Sequence, residues 1–140
     1  MKKVELLTEP RNSLKDFVNI FIQPAKQSRY LELISHEKGL AKFSRLLDHA
    51  IVQDLSNCLL IPPTNQNIEH ISQRLIELGA ENKCIVISSN NEINGEVLEI
   101  RDALGETIGY GFGTLLFFPS ARIAYYESEE RNCRYILKRS

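Results

Sequence analysis

Apolar residues recur every third or fourth position through the first third of the chain. Leu14, Phe17, Val18, Phe21 and Ile22 keep that spacing, which gathers them on one face of a helix. Asn12 or Ser13 is placed to cap it, with Asp16 in the capping-box position after Ser13. Pro24 stops this helix and suits the first turn of the next. That second helix covers residues 25–35, with Tyr30, Leu33 and Ile34 on one side, and Gly39 reads as its C-cap. A third helix is expected over residues 40–55, where Leu40, Phe43, Leu47, Ala50 and Ile51 form the apolar face.

The pattern changes after residue 56. Cys58, Leu59, Leu60 and Ile61 make a brief apolar run closed by Pro62-Pro63, which reads as a short strand. Ile68, Ile71, Leu75, Ile76 and Leu78 return to the helical period, opened by Thr64 or Asn65 and ended by Gly79. Residues 83–88 then read as a second strand, rich in Ile and Val. Strand, helix and strand at this spacing predict a βαβ unit if the strands are parallel. Val97, Ile100, Ala103, Leu104 and Ile108 fit a helix over 96–108. A strand over 97–100, paired with 85–88 through the Asn94-Gly95 turn, competes with it. Residues 111–118, 123–127 and 135–137 read as three strands joined by short polar loops, an antiparallel meander.

These elements predict an α+β fold, one domain over residues 1–140. An N-terminal helical layer packs on one face of a mixed sheet of about five strands that ends in the meander. The other face, or one sheet edge, is left as the working surface.

Composition narrows the class. Hydrophobic residues are 43% and charged residues 25% of 140, the balance of a globular chain rather than a disordered one. The 17 Lys+Arg and 18 Asp+Glu nearly cancel, which argues against a strongly basic nucleic-acid coat. No apolar run reaches the ~18–20 residues of a membrane span, and Glu5, Glu9 and Pro10 interrupt any signal-peptide core. Cys58, Cys84 and Cys133 are odd in number and widely spaced, so they read as free buried thiols of a reducing cytoplasm. His36, His49 and His70 stand in no metal-ligand spacing, and neither a metal nor a cofactor is called for.

Three features carry candidate chemistry. Gly109, Gly111 and Gly113 alternate with Tyr110, Phe112 and Thr114. On a strand they would leave one bare backbone strip, for close packing or a ligand, opposite an aromatic strip. The GxGxG spacing lacks the strand-to-helix context of a phosphate loop. Lys38, Lys42 and Arg45 share one side of the third helix, with Lys26 and Arg29 on the helix before it. They are the candidate phosphate contacts of a nucleic-acid reading, set against a solvated amphipathic face. Finally, Tyr125, Tyr126, Glu127, Arg134 and Tyr135 are residue types enriched at interaction hot spots if exposed. Glu127, Glu129 and Glu130, with Glu92 or Asp102, are the candidate acid–base or metal pocket, set against the simpler role of keeping a hairpin tip soluble.

No catalytic motif stands out, so the leading expectation is a small regulatory or adaptor module that binds another protein or itself. A small-molecule or enzymatic domain with a pocket beside the Gly109–Gly113 stretch is the alternative. Nucleic-acid binding through the basic stripe is the third.

Overall fold

The computed structural model describes residues 2–36, 38–48, 50–130 and 133–139. Glu37, His49 and Arg131, which entered the charge and histidine readings, lie outside the described residues. Three helices come first: α1 (Lys2–Phe21), α2 (Pro24–Ser35) and α3 (Gly39–Leu46), the last followed by a 3-10 turn at Ala50–Asp54. Then follow β1 (Cys58–Leu60), α4 (Ile68–Glu77), β2 (Lys83–Ser88), β3 (Val97–Glu99) and α5 (Ile100–Gly105). The chain finishes with β4 (Thr114–Phe118), β5 (Ile123–Glu127) and β6 (Arg134–Lys138). No described helix is long and apolar enough to cross a membrane.

The architecture is α+β, with a six-stranded sheet in the order β1-β6-β5-β4-β2-β3. Every neighbouring pair is antiparallel, so the sheet is not mixed. The expected strand–helix–strand order is present in β1, α4 and β2. Yet β6, β5 and β4 lie between the two strands, so no parallel pair forms. The β4–β5–β6 meander forms as expected, because short polar loops leave successive strands nowhere else to pair.

Both faces of the sheet are covered. Alternation sends Ile85, Ile87, Leu115, Phe117 and Tyr126 toward α1, α2 and α3, where Phe17, Phe21 and Phe43 pack on them. It sends Val86, Leu116, Phe118, Ile123 and Tyr125 the other way, against Ile71 and Leu75 of α4 and Ala103 and Leu104 of α5. A single helical layer with a free opposite face is therefore wrong. Of the two places the sequence left for a working surface, the other face is closed and a sheet edge stays accessible.

Other boundaries shift for local reasons. α1 begins at Lys2 and Ser13 lies buried within it, so Asn12 and Ser13 cap nothing. α3 ends at Leu46, and the following residues form a separate 3-10 turn. The true side-chain cap of α4 is Asn67, whose oxygen accepts from the His70 N–H at 3.0 Å. The 96–108 stretch divides into β3 and α5, with Val97 paired to Ile85. The strand alternative was right for its first half and the helix for its second.

Candidate functional site

The aromatic hairpin is interior. Tyr125 and Tyr126 are fully buried and Glu127 is 2% exposed, because β5 lies between β4 and β6 with helices over both faces. They offer no contact surface, which corrects the hot-spot reading. The Tyr126 hydroxyl donates to the Leu47 carbonyl at 2.5 Å, and its ring stacks on the half-buried Tyr135 at 6.1 Å.

Glu127 and Arg134 are brought together, as a structural pair. The Glu127 carboxylate accepts from the Tyr125 hydroxyl (2.7 Å), Arg134 Nε (3.0 Å) and the Gly109 N–H (3.1 Å). Burial pushes its carboxyl above the ordinary range, and these donors and the guanidinium pull the other way without cancelling it. Arg134 Nη1 also donates to Gln66 Oε1 at 2.5 Å, and Gln66 Nε2 donates to the Ile61 carbonyl at 2.7 Å. A buried polar seam thus runs from residue 61 to residue 109. Glu127 is buried in this seam while Glu129 and Glu130 are exposed, and among the described residues no group of three or more His, Cys, Asp or Glu is placed to hold a metal.

The three glycines do not form a strip on a strand. β4 starts at Thr114, and residues 109–113 are a loop in which Gly109 and Gly111 have positive φ and open space around them. Only Gly113 is closely packed. A Cβ there would fall under 3.0 Å from the backbone of Leu47 and Asp48. The loop is held at both ends by carboxylates: Gly109 N–H on Glu127, and Gly113 N–H on Asp48 at 2.6 Å. Asp48 also accepts from the Ser89 hydroxyl at 2.6 Å. Tyr110 and Phe112, drawn as an aromatic strip on a strand, project from the loop as exposed side chains.

The basic residues are exposed but split. Lys26 and Arg29 line a cavity of about 450 Å³ between α2 and the 3-10 turn, together with Tyr30 and Asp54. The Tyr30 hydroxyl donates to Asp54 at 2.6 Å, so a carboxylate stands where a phosphate reading needs cations alone. Lys42 and Arg45 lie on α3, Lys38 just before it, and none of the three lines that cavity. Burial pushes Cys58 up to about 11 and Cys84 up to about 12, which makes these two thiols poor nucleophiles.

The surface that composition passed over is β1. It sits at one edge of the sheet, paired only with β6. Leu59 is 67% exposed and Leu60 58% exposed. Both border a groove of about 460 Å³ between this edge and α4, floored by Ile61, Ile71, Leu78 and Ile136. Its polar rim is His70, Gln73, Arg74 and Glu77 of α4, with Lys138 of β6. No protein-family model, no curated protein and no solved structure matches this chain. The groove's chemistry therefore has to be read from its own residues.

One signal in the sequence did mark β1. A three-residue apolar strand stopped by two prolines is the form edge strands take, since proline cannot continue a ladder. Gln66, Asp48 and Ser89 gave no such signal, because their partners are distant in the chain.

Proposed function

We propose that this protein is an interaction module that docks a partner polypeptide on the open edge of β1 and in the β1–α4 groove. One observation carries the reading: two large leucines stand exposed on an edge strand that is paired on one side only, beside an apolar groove. Proteins blunt open edges with Lys, Pro or a covering element, because an apolar edge is a template for another strand. Here proline appears only after the strand, and Leu59 and Leu60 are left to a partner. Three free cysteines fit work in the reducing cytoplasm.

The test is affinity capture from the native cell with three tagged baits: wild type, Leu60→Lys and the double variant Lys42→Glu with Arg45→Glu. A stoichiometric protein held by wild type and by the double variant, but lost with Leu60→Lys, is the expected result. Capture indifferent to Leu60→Lys overturns the site. Nucleic acid retained by wild type and lost in the double variant moves the function to α3. The groove volume of about 460 Å³ also suits a small apolar ligand, the second reading. A thermal shift by such ligands with no protein captured would favour it.

A further inference from the structure

Resting on that reading, we infer that the occupant is an extended apolar segment with an acidic flank, added to the sheet beside β1 as a seventh strand. The argument begins with the backbone. The Ile61 N–H donates to the Arg134 carbonyl at 2.9 Å, which fixes the phase of the β1–β6 ladder. Alternation then turns residues 59 and 61 toward β6, and turns the N–H and C=O of Cys58 and Leu60 to the open side. An added strand satisfies those four groups. A docked helix uses up its own backbone groups and would cover the edge without pairing it, which is costly for buried polar groups.

Size limits the segment. The α4 wall of the groove runs from His70 to Leu78, about 12 Å at the helical rise, which matches three to four extended residues at ~3.3 Å each. A second copy meeting edge to edge through a three-residue strand would bury roughly a few hundred Å² per side, short of the ~800 Å² of a stable interface. So small an edge suits a weak, transient contact with a short linear segment of another protein rather than a stable dimer.

Charge sets the flank. Of the groove's charged side chains, Arg74 pairs with Glu77 at 3.7 Å. Lys138 donates to the neutral carbonyl of Ala121 at 3.2 Å. Among the described residues the groove thus carries one cation beyond its internal pair, on the residue adjoining the partner of Cys58 in the ladder. A strand running antiparallel to β1 presents its C-terminal flank at that end, and a carboxylate there draws the Lys138 ammonium off the Ala121 carbonyl and across β1.

The probe is a fluorescent peptide, Asp-Val-Thr-Leu-Thr-Val-Asp with blocked ends, titrated into the full chain by polarisation. Its companions are a version with Lys for both Asp and a version N-methylated at its central residues. The acidic probe should bind at least tenfold tighter than the Lys version, Lys138→Glu should reverse that order, and N-methylation should abolish binding. Equal binding of the Lys version overturns the acidic flank, and undiminished binding of the N-methylated one overturns strand addition. A partner lost with Leu60→Lys while no peptide binds overturns the extended occupant and leaves the docking edge standing. A concentration-dependent dimer that Leu60→Lys dissolves overturns it in favour of a second copy.

Discussion

The β5–β6 hairpin and β1 exchange the roles that their compositions suggest. Tyr125, Tyr126 and Glu127 have the makeup of a recognition surface and are buried in the middle of the sheet. Leu59 and Leu60 have the makeup of a core and face solvent. The difference is position in the strand order. β5 has a neighbour on each side and helices over both faces, whereas β1 has one neighbour and follows no covered path. Burial at a given residue is decided by what the topology places around it, and only on average by hydrophobicity.

That contrast is most sharply broken at Glu127. Glu127→Ala removes the acceptor of three donors at once, the Tyr125 hydroxyl, Arg134 Nε and the Gly109 N–H. We expect a loss of about 3–5 kcal/mol, measured by urea unfolding, because buried donors and a guanidinium lose their partner. A loss under about 1 kcal/mol would mean that water replaces the carboxylate. Gly113→Ala should cost about 3 kcal/mol or more, since its Cβ meets the backbone of Leu47 and Asp48, which has no rotamer to yield. Gly111→Ala meets no atom within 4 Å and should cost only the left-handed backbone, about 1–2 kcal/mol.

A smaller effect follows pH. The folded Glu127 carboxyl lies above its ordinary 4.5, so the native state holds that proton more tightly than the unfolded chain. Its contribution is fully present below 4.5 and declines as pH rises through the raised value. Unfolding free energies of wild type and Glu127→Gln across that window should differ in slope, the variant lacking this decline. The smallest effect belongs to the open edge. Leu60→Lys should change stability by no more than about 0.5 kcal/mol, as an exposed edge position accepts lysine. A cooperative loss of several kcal/mol, seen by thermal melting, would show β1 to be core and remove the contrast.

The sequence disclosed what depends on near neighbours. Helical period placed α2 and α4, proline and Asn-Gly marked the turns, and alternation put Tyr125 and Glu127 on one face with Tyr126 on the other. It did not disclose what depends on partners far along the chain. Nothing local tells that Gly113 abuts Leu47, or that Gln66 reaches Arg134. The glycines misled because alternation with aromatics is equally the pattern of a strand and of a loop whose φ values require glycine. Tyr110 and Phe112 then face water, where an uninterrupted strand would have enclosed them.

β1 pairs with β6 alone, and residue 58 meets residue 137 across more than half of the chain. Such a pairing is among the slowest to form, because a long loop must close before any contact rewards it. β1 leaves the ribosome long before its neighbour exists. A nascent or truncated chain lacking β6 has the leucines but no ordered edge to present them. The proposed docking edge is thus complete only once β6 has been made and paired, and a partner that reads this edge would also read whether the sheet beneath it has been finished.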